Sequence, residues 1–129
     1  MIAIDTNVLV RFLVSDDPDQ ARRARALVEE NPVFVSLTVL LEAEWVLRSA
    51  YGFAPAMIIA AFRAFAGLPG VIVQEPETLA KALSWRGAGL DFADALHLAR
   101  MGDSMAFATF DVRLEKAAKR AGVEEVRLL

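Results

Sequence analysis

Five carboxylates in this chain sit where chemistry is plausible. Asp5 follows the short apolar run Ile2-Ala3-Ile4, Glu42 lies in an apolar stretch, Asp91 and Asp94 bracket Phe92-Ala93, and Asp111 follows Met105 to Thr109. An apolar run that breaks into an acid reads as a buried strand delivering a carboxylate to a strand-to-helix turn. Asp5 and Asp111 share that pattern. Several such carboxylates brought together would form an oxygen-only site for a hard divalent cation, which prefers carboxylate ligands and keeps several of its waters. Two such ions about 4 Å apart can activate a water and stabilise a leaving oxygen in phosphodiester cleavage.

Each acid also has a plainer reading. Asp5 and Asp111 could serve only as helix N-caps, a position that favours Asp, Asn, Ser or Thr. Asn7 adds a second polar side chain where the chain leaves the strand, which suits a pocket better than a core. Asp91 and Asp94 lie one turn apart at a helix start, where the macrodipole favours negative charge, although two neighbouring carboxylates repel unless they share a cation. His97 reads as a packed or hydrogen-bonded histidine rather than a ligand. Glu42 and Glu44 separate by roughly 160° around their helix, given about 100° per residue. Glu44 then falls beside Arg48 as an exposed ion pair, and Glu42 shares a stripe with Thr38, Trp45 and Ser49. Glu42 has no basic residue three or four positions away, and an unpaired carboxylate on a buried helix costs several kcal/mol unless a metal compensates.

The elements that must position these acids follow from periodicity and punctuation. Helices are expected over Thr6 to Val14, Pro18 to Glu30, Leu37 to Tyr51, Pro55 to Ala66, Pro76 to Arg86, Asp91 to Met101 and Val112 to Ala121, and the Leu37 helix is apolar almost all round. Strands are expected at Ile2 to Ile4, Val33 to Val35, Val71 to Val73, Met105 to Thr109 and Val126 to Leu128. This alternation indicates an α/β domain with a mainly parallel sheet and helices on both faces, in which a ligand sits beyond the carboxyl ends of the strands.

Composition narrows the chemistry. The 129 residues, 56% hydrophobic and without a Pro/Gly/Ser-rich linker, fit one domain over 1–129. With no cysteine there is neither a disulfide framework nor a thiolate nucleophile, and with one histidine a structural zinc site has almost nothing to build from, so any metal must sit on oxygen. Apolar runs too short to span a bilayer and an N-terminus that leads directly into a strand predict a soluble, unsecreted, cytoplasmic protein without membrane attachment. Fourteen basic against 17 acidic residues, net −3, argue against nucleic-acid binding by bulk positive field but leave room for an arginine-lined groove. There is no Gly-x-x-x-x-Gly-Lys phosphate loop, no Gly-x-Ser-x-Gly turn and no Cys/His pair.

Four pieces, Ile4-Asp5-Thr6-Asn7, Ser36-Leu37-Thr38-Val39-Leu40-Leu41-Glu42, Asp91-Phe92-Ala93-Asp94-Ala95-Leu96-His97 and Thr109-Phe110-Asp111, occur in order over nearly the whole chain. Together they resemble the PIN-domain nucleases, and more narrowly the VapC-type ribonuclease toxins of toxin–antitoxin pairs. The resemblance implies a single PIN-like three-layer α/β/α domain and a Mg²⁺- or Mn²⁺-dependent endoribonuclease. It assigns ligation, directly or through water, to Asp5, Glu42, Asp94 and Asp111, with assistance from Asp91 and support from Thr6, Asn7 and Thr109. It further implies an RNA substrate, a homodimer, and a small antitoxin whose C-terminal segment covers the site. Trp45, Phe53, Met57, Phe62 and Phe65 are a surplus of large apolar residues that either fill the core or form a partner surface. Arg11, Arg48, Arg86 and Arg100 are candidates to steer the RNA backbone. Two competing readings are a PIN-like module that binds RNA or a partner without cleaving it, and a receiver-like regulatory module. The latter normally has paired acids after the first strand and a lysine after the last, neither of which is present.

Overall fold

A computed structural model describes residues Met1–Leu129. The chain runs β1 (Ile2–Ala3), α1 (Thr6–Leu13), α2 (Pro18–Glu30), β2 (Val33–Val35), α3 (Leu37–Ser49), α4 (Pro55–Ala66), β3 (Val71–Val73), α5 (Pro76–Gly87), α6 (Phe92–Arg100), β4 (Phe107–Thr109), α7 (Val112–Arg120) and β5 (Val126–Leu128). It divides into two compact units, Met1–Pro76 and Glu77–Leu129. The alternation expected from the sequence holds, and the fold is α/β with every strand pair parallel.

In the first unit the strands lie in the order β1-β2-β3, with Ile2 opposite Val33 and Val33 opposite Val71. Parallel neighbours need long crossovers, and the helix pairs α1–α2 and α3–α4 supply them. Pro18 and Pro55 open α2 and α4, where the missing N–H costs no intrahelical bond. Ser36 caps α3 by accepting from the Val39 N–H at 3.2 Å. Leu9, Val33, Val35, Leu47 and Phe62 are completely buried, and Phe12 meets Phe65 edge-on at 5.2 Å between ring centroids. Truncating Phe62 to alanine would cost about 3–5 kcal/mol by the usual cavity penalty. Gly70, at φ +81°, makes the turn into β3 and gives its carbonyl to the Val33 N–H at 2.9 Å.

In the second unit β4 and β5 pair in parallel, Phe107 opposite Val126, with α7 as their crossover and packed against both. Leu90, Phe92, Ala95 and Ala118 are at most 1% exposed and form its core. Element ends shift by one or two residues from the sequence expectation, as fraying ends do. The first strand stops at Ala3, α3 stops at Ser49 and α5 runs on through Gly87. No helix is long and apolar enough to cross a membrane.

The α3 helix differs from its expected burial. Its solvent face is Thr38, Glu42, Trp45 and Ser49, and its buried face is Leu37, Leu40, Ala43, Glu44 and Leu47. Two polar stripes on opposite sides cannot both face water once one side packs on the core. Arg48 makes burial of the Glu44 side tolerable: it reaches from the rim, 39% exposed, and its Nε donates to Glu44 Oε1 at 2.8 Å, where Glu44 has 4% side-chain exposure. The long arginine stem makes such a reach inexpensive. The Glu44–Arg48 pair therefore exists but is not the exposed pair expected. The apolar surplus also divides: Phe62 and Phe65 are core, whereas Trp45 and Met57 are 58% and 56% exposed.

Candidate active site

Three of the acids meet in the second unit. Asp91 caps α6, its Oδ2 accepting from the Ala93 N–H at 3.2 Å. Asp94 stands three residues on, in the first turn and half-buried. Asp111 caps α7, its Oδ1 accepting from the N–H groups of Arg113 at 2.9 Å and Leu114 at 3.1 Å. Thr109 Oγ1 in turn accepts from the Asp111 N–H at 3.0 Å, which fixes the turn that carries the acid. Asp91, Asp94 and Asp111 line one cavity of about 290 Å³, with Arg86, Gly89 and Arg113 on its walls.

The charge state of Asp94 registers the crowding. Partial burial raises its pKa above the ordinary 3.8, the negative charges of Asp91 and Asp111 raise it further, and His97 works in the opposite direction. Like charges close together disfavour ionisation, and a bound cation reverses that preference. His97 itself is exposed rather than packed.

In the first unit Asp5 is the N-cap of α1, its Oδ1 accepting from the Val8 N–H at 2.9 Å, with the carboxylate at the surface. Thr6 behind it is buried, and Asn7 is exposed on the wall of a cavity of about 390 Å³ shared with Arg11, Gln20 and Arg23. Glu42 is exposed on α3. This corrects the desolvation argument for it: a carboxylate in water needs no metal to compensate burial. What still distinguishes Glu42 is its motif position, one turn after Thr38.

The steering arginines separate clearly. Arg11 is engaged by Gln20 at 2.7 Å, Asp16 at 3.1 Å and Tyr51 at 2.9 Å, and Arg48 is engaged by Glu44. Arg86 lines the acidic cavity and donates to the Leu90 carbonyl at 3.0 Å. Arg100 is exposed on α6. Arg113, on the same cavity, was not among the arginines singled out from the sequence. Its signal was available, since a residue two positions after a capping acid lies in the first helical turn beside that acid.

The donor chemistry fits a hard divalent cation, because every candidate ligand is a carboxylate oxygen. In neither unit, however, are three or more acid or histidine side chains arranged to hold an ion as they stand. Residues 2–120 match the PIN domain family, so the chain belongs to that family, whose members are generally nucleases, and the match spans all five acids. No curated protein and no solved structure matches the chain.

Proposed function

We propose that this chain is a Mg²⁺- or Mn²⁺-dependent endoribonuclease, one PIN-like nuclease domain over residues 1–129, acting as the toxin of a VapC-type toxin–antitoxin pair. The observation that carries the reading is the cavity on which Asp91, Asp94 and Asp111 converge, with Asp94 held above its ordinary pKa first by partial burial and then by the charges of Asp91 and Asp111. Asp5, Glu42, Asp94 and Asp111 would hold the metal, with Asp91, Thr6, Asn7 and Thr109 in support. A bound ion supplies an activated water and neutralises charge on the leaving oxygen. The chain's own part is orientation. Thr109 and the first turn of α7 fix Asp111, and the cap bond to Val8 fixes Asp5.

The toxin reading brings a small antitoxin, a homodimer and a cytoplasmic location with it. Exposed Trp45 and Met57 support a protein-docking surface. Purified protein is expected to cleave structured RNA with Mg²⁺ or Mn²⁺ and to stop when EDTA is added. Cleavage undiminished in excess EDTA would refute the metal chemistry, and harmless expression without an antitoxin would refute the toxin role. A second reading, a PIN-like module that binds RNA or a partner without cutting, is favoured by the absence of a preformed three-residue ligand set. Catalysis at any added metal concentration excludes it.

A further inference from the structure

Phe110 is 82% exposed, the most exposed of the large apolar residues, and it stands directly between Thr109 and Asp111. A single exposed apolar side chain is ordinary on a protein surface. This one has a particular setting. The Thr109 hydroxyl bonded to the Asp111 N–H at 3.0 Å pins the backbone on either side of it, so the ring is displayed from a fixed turn. Three residues on, Arg113 is exposed and lines the cavity of Asp91, Asp94 and Asp111, yet it forms no ion pair with any of them. Its backbone N–H, bonded to Asp111 Oδ1 at 2.9 Å, fixes where its side chain departs. The Cα atoms of Phe110 and Arg113 lie at most about 11 Å apart, the reach of three residues of chain.

An exposed aromatic ring one residue before an acid of the cavity, and an unpaired arginine lining that cavity, are the two kinds of element by which proteins hold single strands. Bases stack on the ring, and the cation neutralises a phosphate. We propose that Phe110 and Arg113 form a subsite for single-stranded RNA, an unpaired base stacking on the Phe110 ring while an adjoining phosphate is held by Arg113. This rests on the ribonuclease reading for the identity of the nucleic acid. Asp91, Asp94 and Asp111 repel a phosphate that carries no counter-ion, so the free cation on the same cavity gives the backbone a place to enter. Arg86, tethered to the Leu90 carbonyl, adds positive charge to the same wall. Phe110 and Arg113 are positioning residues.

Binding is measured in EDTA, so that no RNA is cut, by anisotropy of a labelled single-stranded oligonucleotide over a series of salt concentrations. Phe110→Ala is expected to weaken binding about 5- to 150-fold, the range that stacking gives, without changing the salt slope. Phe110→Tyr should keep parental affinity, and Phe110→Leu should behave like the alanine variant. Arg113→Gln should reduce the slope of log affinity against log salt by about 0.7, the value for one phosphate contact on a single strand, and Arg113→Lys should restore it. The duplex of the same sequence should bind more weakly, because its bases are already stacked. Parental binding by Phe110→Leu, an unchanged slope in Arg113→Gln, or equal affinity for duplex would each overturn the subsite. The two readings fail separately. A protein that never cleaves but shows both binding signatures retains the subsite and loses the nuclease; one that cleaves RNA with parental KM in both variants retains the nuclease and loses the subsite.

Discussion

Exchanging Glu44 for glutamine should unfold the protein more easily, and exchanging Glu42 for glutamine should not. Both substitutions are nearly isosteric, both remove one negative charge, and the residues are two apart on α3. Their surroundings differ. Glu44 is 4% exposed and receives the Arg48 Nε at 2.8 Å, whereas Glu42 faces water. Glu44→Gln keeps an acceptor for Arg48 but loses the charge, and a hydrogen bond to a charged group contributes about 1.5–3 kcal/mol. Arg48 is 39% exposed and recovers part of that in water, so a net loss of about 1–2 kcal/mol follows. For a domain of this size that lowers Tm by roughly 3–8 °C. Glu42→Gln should stay within about 0.5 kcal/mol of the parent, as surface changes do. Cleavage should divide the opposite way, with Glu42→Gln abolishing Mg²⁺-dependent activity and Glu44→Gln retaining it at temperatures where the variant is folded. Thermal melts and cleavage assays on the two proteins decide it. Equal melting temperatures would refute the burial argument for Glu44, and equal activities would remove Glu42 from the site.

Asp94→Asn should stabilise the metal-free protein at neutral pH. The folded pKa of Asp94 lies above its unfolded value, so the folded state binds the proton more tightly, and ionising Asp94 costs stability as pH rises through the folded pKa. Below the unfolded pKa both states are protonated and the advantage of Asn disappears, which melts in EDTA across acid and neutral pH will register. Asp5→Asn should abolish cleavage and leave the melting temperature near the parent's, because Asn can still accept from the Val8 N–H, while Asp5→Ala should also lose about 1 kcal/mol with the cap. Parental cleavage by Asp5→Asn would reduce Asp5 to a cap.

The fold was legible because its signals are local. Ser36, Pro18, Pro55 and Gly52 punctuate the elements, and short apolar runs between helices identify parallel strands without any knowledge of contacts. What was not legible was the burial of α3. Sequence periodicity separates Glu42 from Glu44 but does not say which stripe faces the core. That choice depends on packing against α1 and α4 and on the reach of Arg48. The arginines show the same limit. Nothing local distinguishes Arg11, spent on Asp16, Gln20 and Tyr51, from Arg113, which forms no ion pair on the acidic cavity.

Capping a helix and holding a cation looked like alternatives for Asp5 and Asp111, and the structure, in which Asp91 caps a helix as well, removes the opposition. Each caps through one carboxylate oxygen only: Oδ1 of Asp5 to Val8, Oδ2 of Asp91 to Ala93, and Oδ1 of Asp111 to both Arg113 and Leu114. The second oxygen of each remains available. The cap bond fixes the direction in which that oxygen points. Asp94 has no cap bond to orient it. It is instead the acid whose ionisation is opposed by its burial and by the charges of Asp91 and Asp111, an opposition that a cation entering the cavity would relieve. A strand-to-helix turn that begins on aspartate thus builds the helix and aims a ligand with the same side chain, which is why the acids of this chain were readable from their place at the turns.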